Sequence, residues 1–169
     1  MVRMIQQVLA QLPIFKDLSP EQLDTLAPLI QPCSFEKDAV IFEQGDPTRY
    51  LYIVIKGEVS IHYKPYDSTE SVVMRIQPGG VFGWSAALGR LSYTSTAVSV
   101  EACNVYCLSG NDLRRLCEKY PDTGKILLEQ LANVVAEHRI THEPVVSMLA
   151  SARARDEENL RRQKDHGNQ

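Results

Sequence analysis

Hydrophobic residues recur with two different periods along the chain. Before residue 31 and after residue 111, apolar residues recur every three or four positions, which is typical of amphipathic helices. Between these two parts, the apolar runs are short, rich in β-branched and aromatic residues, and separated by glycine and proline turns. The pattern therefore predicts helices at both ends of the chain and β-strands in the middle.

Two helices are predicted in the N-terminal part. The first covers residues 1–11, where apolar side chains share one side. The second begins at Ser19, because Gln22 stands three residues later, as a capping box requires. We expect this second helix to run to about Ile30 and to end before Pro32.

Short strands are predicted in the middle of the chain. They are Val40–Phe42, Tyr50–Ile55, Val59–Tyr63, Val72–Ile76, Thr96–Val100 and Val105–Leu108. The segment Trp84–Leu88 has instead the composition of a helical turn between strands. Many short strands at regular spacing favour an antiparallel barrel. The predicted fold class is therefore α+β, mainly β: an antiparallel β-roll or jelly-roll barrel flanked by N- and C-terminal helices.

The helical period returns after the last predicted strand. One helix is expected at about Asp112–Lys119, and a longer one at about Asp122–Ile140. Pro144 is then expected to break or kink the helical chain, and a third helical stretch is expected over 145–162.

Length and composition fit one packed domain. The chain has 169 residues, of which 44% are hydrophobic and 23% are charged. We expect residues 1–140 to form the β-roll domain with its flanking helices, and 141–169 to form a helical extension with a frayed end.

Charge and hydropathy bear on whether the chain binds nucleic acid or a membrane. The formal net charge is −3, so a basic nucleic-acid-binding face is not expected in the main body. Basic residues near the C-terminus alternate with acidic ones, which is typical of a solvated helix face. No apolar run reaches the roughly 18 residues of a membrane span, and no signal-peptide core is present, so we expect a cytoplasmic protein without a membrane partner.

Four short phrases occur in a regular order along the chain. They are LPIFKDLS at 12–19, FEQGD at 42–46, YIVIKGEV at 52–59 and PGGVFG at 78–83. In order and spacing they resemble the cyclic-nucleotide-binding domain family, the fold of catabolite-activator-type regulators and kinase regulatory subunits. The resemblance covers about residues 10–140 and implies a non-catalytic sensor or regulatory module.

The resemblance also identifies a ligand cassette. In the family, the cassette begins with a Gly–Glu pair, and its glutamate accepts a hydrogen bond from the ribose 2′-hydroxyl. A short helix after the glycine points N–H groups at the cyclic phosphate, and an arginine at the end of the cassette pairs with the phosphate. Here the glycine is Gly83, the next residue is Trp84, and the arginine position falls at Tyr93. Because a hydrogen bond to a charged group contributes about 1.5–3 kcal/mol, losing both charged residues predicts weak or absent binding of cAMP and cGMP.

Several residues are candidate ligand contacts. They are Gly83, Trp84, Ser85, Ala86, Arg90, Tyr93, Thr94, Ser95, His138 and Arg139. Three outcomes stay open: Trp84 and Tyr93 fill the cavity, they line an altered pocket for an aromatic or apolar ligand, or a cyclic nucleotide (cAMP or cGMP) still binds with Arg90 or other residues in place of the missing arginine. The Gly-Trp-Ser cassette with its Tyr-Thr pair also resembles a variant branch of the family, whose members are often free-standing. This resemblance implies that the two charged residues were replaced to give a consistent alternative pocket, rather than lost through random decay of the site.

The long C-terminal helix carries an apolar stripe. Its members are Leu127, Leu131, Val134, Val135 and His138. In the family this helix pairs two subunits, so the resemblance implies a homodimer through Leu127–His138, although packing on the chain's own barrel needs the same stripe. A purely structural dimerisation domain with a filled pocket is therefore an alternative function.

Motifs for catalysis and for metal binding are lacking in the sequence. The chain has no nucleophile elbow, P-loop or HExxH motif, so we do not expect an enzyme. His138 and His142 lack an evident third ligand, and the four cysteines lack zinc spacing, so neither a metal nor a cofactor is expected. About 29 residues follow Ile140, too few for the helix-turn-helix domain of DNA-binding relatives. We therefore expect nucleic-acid binding only if this sequence is part of a longer regulator.

Overall fold

The computed structural model describes residues 2–65, 69–141 and 155–164. The helices are α1 (Val2–Gln11), α2 (Pro20–Leu26), α3 (Trp84–Ala87), α4 (Gly110–Lys119), α5 (Pro121–Thr141) and α6 (155–164). The strands are β1 (Ile30–Phe35), β2 (Val40–Phe42), β3 (Tyr50–Lys56), β4 (Val59–Tyr63), β5 (Ser71–Ile76), β6 (Val81–Phe82), β7 (Thr96–Ser99) and β8 (Cys103–Ser109). Short 3₁₀ turns at Pro13–Phe15 and Ala27–Leu29 adjoin α2. None of the described helices is long and apolar enough to cross a membrane.

The described strands form two antiparallel four-stranded sheets. Their strand orders are β1-β8-β3-β6 and β2-β7-β4-β5. Side chains from both sheets belong to a hydrophobic core cluster, with Ile53 and Val105 from the first sheet and Val59 and Ile76 from the second. Helices precede the sheets and follow them. The predicted fold class, an antiparallel β-roll flanked by helices, is confirmed.

The predicted capping box is present at the start of α2. The Ser19 hydroxyl accepts a hydrogen bond from the Gln22 N–H at 3.2 Å, and the Gln22 side chain accepts one from the Ser19 N–H at 2.9 Å. The predicted end of this helix is wrong, because α2 ends at Leu26 and the chain enters β1 at Ile30. Pro32 lies inside β1, which is possible because β1 is an edge strand and its outer side needs no donor.

The other boundaries mostly follow the sequence pattern. The helices α4 and α5 begin and end within two residues of their predicted ends. The two-residue strand β6 was not predicted, because so short a segment shows no alternation. The third C-terminal helix was predicted over 145–162, and the structure describes a helix at 155–164, while 145–154 lie outside the described residues.

Gly83 is required by both its backbone angle and its surroundings. Its φ is +75°, a conformation that costs a side-chain-bearing residue about 1–2 kcal/mol. A Cβ at this position would also lie 2.8 Å from the Tyr50 carbonyl oxygen. Gly45 has a similar φ of +94°, but a Cβ there would meet no heavy atom within 4 Å. The close approach at Gly83 brings the start of α3 against β3.

The helix α5 packs on its own domain. Leu127 and Leu131 are buried, and α5 contacts both α4 and the Pro13–Phe15 turn. The apolar stripe on this helix was compatible with either dimerisation or internal packing. Two of its leucines are buried within the monomer. Leu128, on another side of the helix, is 43% exposed.

Candidate functional site

Trp84 is the first residue of α3, directly after β6 and Gly83. Its indole is buried, and its Nε1 donates a hydrogen bond to the Val81 carbonyl oxygen at 2.9 Å. A buried indole normally needs such a partner, because an unpaired N–H inside a protein costs free energy. The ring is therefore held within the domain by the strand β6 that directly precedes its turn.

Tyr93 is held by three hydrogen bonds through one hydroxyl. This oxygen accepts from the N–H groups of Arg49 and Tyr50, at 3.2 and 3.0 Å, and donates to the Tyr50 carbonyl oxygen at 2.8 Å. The Tyr93 ring stacks on Phe42, with 3.7 Å between ring centroids and 9° between planes. Only 4% of Tyr93 is exposed. Tyr93 therefore connects the end of the cassette to the start of β3.

Aromatic rings surround Tyr93 on the inner side. Tyr52 and Phe82 stack at 4.9 Å between centroids, and Phe42 lies 5.8 Å from Tyr52 and 6.1 Å from Phe82. Burial raises the pKa of the Tyr52 phenol far above its ordinary value, and the neighbouring Tyr93 and Cys107 add to this shift. The surroundings of the Tyr52 hydroxyl therefore disfavour a negative charge.

A small cavity remains between these side chains. Its volume is about 20 Å³. It is lined by Phe42, Ile61, Met74, Phe82, Gly83, Trp84, Ser85, Tyr93, Thr94 and Ser95. A single water needs about 10–15 Å³ on this measure, and small-molecule pockets have roughly 300–1,000 Å³. The cavity therefore has room for about one water in this conformation.

The structure brings together most of the residues selected from the sequence. Those that line the cavity are Gly83, Trp84, Ser85, Tyr93, Thr94 and Ser95. Ala86 lines a separate polar cleft of about 320 Å³ beside α4. The Arg90 guanidinium does not line the cavity; its Nη1 lies 3.6 Å from the Asp156 Oδ2 on α6. The side chains of His138 and Arg139 lie outside the described residues.

Four lining residues were not selected from the sequence. Phe42, Ile61, Met74 and Phe82 come from four different strands, and Ile61 lies opposite Met74 in the β4–β5 register. The alternation around Ile61, which lies between Ser60 and His62, predicts a strand with one buried face. It does not predict which strands face the cassette, since that depends on sheet topology.

A polar cluster lies on another part of the second sheet. The Ser60 hydroxyl is 2.7 Å from the His62 Nε2, and the His62 Nδ1 is 3.6 Å from a Glu70 carboxylate oxygen. His62 is half-buried. Ser60 is buried, and β4 pairs with a strand on each side there, so its backbone amides serve the sheet. In the described part of this cluster, the Ser60 backbone is thus engaged in the sheet rather than free to stabilise an oxyanion in acyl transfer.

Together, the two sheets, the glycine-led turn α3 and the helices after β8 define the class as a β-roll domain with flanking helices. The family model described as the cyclic nucleotide-binding domain matches residues 32–120, more than half of the chain. The chain belongs to the cyclic nucleotide-binding domain family, as the sequence phrases predicted, and is a domain of the regulatory type.

Relatives and solved structures agree with this assignment. The chain is 27% identical over 128 residues to a CRP-like cAMP-activated global transcriptional regulator of Mycobacterium tuberculosis, covering 76% of this chain and 57% of that protein. It is 28% identical over 118 residues to a cAMP-dependent protein kinase regulatory subunit of Dictyostelium discoideum, covering 68% of this chain and 36% of the subunit. The chain thus spans less than two thirds of either relative. In fold it is similar to a cyclic nucleotide-binding domain from Methylobacillus flagellatus KT, with a TM-score of 0.72 at 20% identity, covering 86% of this chain and 83% of that one.

Proposed function

We propose that this domain is a non-catalytic regulatory module whose cassette is closed to cAMP and cGMP by Trp84 and Tyr93. The observation that carries the proposal is the volume of about 20 Å³ left between these rings. A cyclic nucleotide is a small molecule of the size that occupies pockets of roughly 300 Å³ or more. Binding would therefore require both rings to leave buried, hydrogen-bonded positions.

Charge supports the same proposal. None of the residues lining the cavity is lysine or arginine. A phosphate that enters an apolar site without a cation loses its hydration and gains no compensating partner. Arg90, the one candidate replacement in the cassette, pairs with Asp156 outside the cavity.

The C-terminal helices are the proposed route of any signal. A Cβ on Gly110, the first residue of α4, would lie 2.7 Å from the Ala86 carbonyl oxygen of α3. This close backbone contact couples the cassette to α4, and α5 packs on α4 in turn. A change in α3 would thus shift the population of C-terminal helix positions.

Isothermal titration calorimetry with cAMP and with cGMP tests closure of the cassette. We expect no saturable heat up to about 1 mM nucleotide, because neither space nor a cation is available at the cavity. The Arg90→Ala variant is the matched control. Micromolar binding by the wild type that is lost in this variant would overturn the proposal in favour of a nucleotide receptor that uses Arg90.

We further propose that two copies pair through the exposed side of α5. Leu128 and Ala132 are one helical turn apart and both exposed, next to Pro121 and Lys125 of the same groove. This groove also includes Cys117 of α4 and is mostly apolar. An exposed apolar surface of this kind is suited to pairing with its own copy around a two-fold axis.

The substitution Leu128→Asp is expected to convert a dimer into a folded monomer. Leu128 is largely exposed, so the change should alter the free energy of unfolding by less than about 1 kcal/mol. Sedimentation velocity measures the oligomeric state, and Leu88→Asp, at another exposed leucine, is the matched control. A monomeric wild type, or a dimer that survives in Leu128→Asp, would exclude this interface. Leu131→Asp is unsuitable, because it would bury a charge within the monomer.

A further inference from the structure

Two cysteine sulfurs lie next to each other inside the first sheet. The Sγ atoms of Cys33 and Cys107 are 2.8 Å apart, although 74 residues separate them along the chain. Cys33 lies opposite Val105 in the β1–β8 register, so Cys107 is its diagonal neighbour on the same face of the sheet. The distance is within about 1 Å of a disulfide bond, which is ~2.05 Å long.

The two thiols differ in access. Cys33 is half-buried on the edge strand β1, whereas Cys107 is buried on β8 between β1 and β3. Burial, together with the Cys33 thiol beside it, raises the pKa of the Cys107 thiol well above its ordinary value. Cys33, the more accessible sulfur, is therefore the one that an oxidant would reach first.

The remaining cysteines lack this arrangement. The buried Cys103 donates hydrogen bonds to the backbone carbonyls of Glu58 and Glu101, at 3.2 and 3.1 Å. Cys117 lies on α4, and no described sulfur is within hydrogen-bond distance of it. Burial raises the pKa of both thiols. The pair of Cys33 and Cys107 is therefore distinct among the four cysteines.

We propose that Cys33 and Cys107 form a reversible oxidation site that reacts with hydrogen peroxide. The Cys33 sulfur attacks the peroxide, the O–O bond breaks, and Cys33 becomes a sulfenic acid while one water is released. The Cys107 sulfur then attacks the Cys33 sulfur, and the S–O bond breaks to give a disulfide and a second water. The two thiols lose two electrons and two protons in total, and a dithiol reductant reverses the change.

The position of the pair connects it to the cassette. Cys107 is the β8 partner of Tyr52 on β3, and Tyr52 stacks on Phe82. A disulfide would tie β1 to β8 directly beside these rings. This site would respond to oxidant in the same domain without any nucleotide, so its test is independent of the proposed cassette closure.

The experiment treats the reduced, folded chain with hydrogen peroxide, alkylates the remaining thiols, and maps peptides by mass spectrometry. We expect a mass loss of about 2 Da, a cross-linked peptide that joins Cys33 to Cys107, and full recovery with dithiothreitol. Mapping the wild type makes the result independent of whether any variant folds. Alkylation of both cysteines to the same extent as Cys117, or a link between two chains, would overturn the proposal.

Matched variants sharpen this test. The variant Cys117→Ser removes another half-buried thiol, and it should form the Cys33–Cys107 disulfide at the wild-type rate. Cys33→Ser should form intramolecular disulfide at least about tenfold more slowly, because Cys107 then has no partner thiol at contact distance. Equal rates in the two variants would contradict the assignment.

Discussion

The substitution Trp84→Ala is expected to lower the free energy of unfolding by about 3–5 kcal/mol. The indole is buried beside a cavity that residues of both sheets line, and its N–H bonds the Val81 carbonyl oxygen. Removing it leaves a cavity and an unpaired carbonyl, and the short turn α3 cannot close such a space. Urea unfolding followed by circular dichroism measures the change.

Indole in solution tests whether the lost ring occupied a defined cavity. We expect indole to raise the unfolding midpoint of Trp84→Ala and to leave the wild type unchanged, because only the variant has space for it. Leu91→Ala is the matched control, since Leu91 is exposed and its loss should cost less than about 0.5 kcal/mol. A wild-type domain that is itself stabilised by indole would mean that the cassette opens for aromatic ligands.

The substitution Tyr93→Phe should lower the free energy of unfolding by about 2–4 kcal/mol, although it removes a single oxygen. That oxygen bonds the N–H groups of Arg49 and Tyr50 and the Tyr50 carbonyl oxygen. Without it these three backbone groups lose the partner that the buried Tyr93 side chain supplies. The stacking on Phe42 is preserved, so the loss isolates the hydrogen bonds.

Tyr106→Phe is the control for this experiment. Tyr106 is a half-buried tyrosine on β8, so removal of its hydroxyl should lower the free energy of unfolding by less than about 1 kcal/mol. Equal losses in the two variants would refute the idea that Tyr93 connects the cassette to β3 through its hydroxyl. Denaturation of both variants under one set of conditions gives the comparison.

These predictions together treat the cassette as an internal core. Trp84 and Tyr93 occupy the positions that the family resemblance assigns to the two charged ligand contacts. Both rings are buried, and the indole N–H of Trp84 and the hydroxyl of Tyr93 each donate a hydrogen bond to a backbone carbonyl. Under the proposed function, the domain keeps the β-roll of its family while these two rings close its cassette to cyclic nucleotides.

Local patterns explain how much of the fold the sequence predicts. The capping box at Ser19, the alternation in β4 and the helical period of α5 depend on neighbours within a few residues. The strand β1 was missed because its proline suggested only a helix end, and an edge position for Pro32 becomes visible only once β8 pairs on the other side.

The sequence by itself determined the fold class and the family, and it predicted the place of the cassette at Gly83–Tyr93, because these depend on residue types at fixed spacings. Only the tertiary structure decided that Tyr93 reaches the backbone at Tyr50, that about 20 Å³ remains beside it, and that Cys33 meets Cys107. Those properties depend on how distant strands stack and on the directions of their side chains. Close packing makes contact between remote residues a property of the whole core, which periodicity along the chain does not contain.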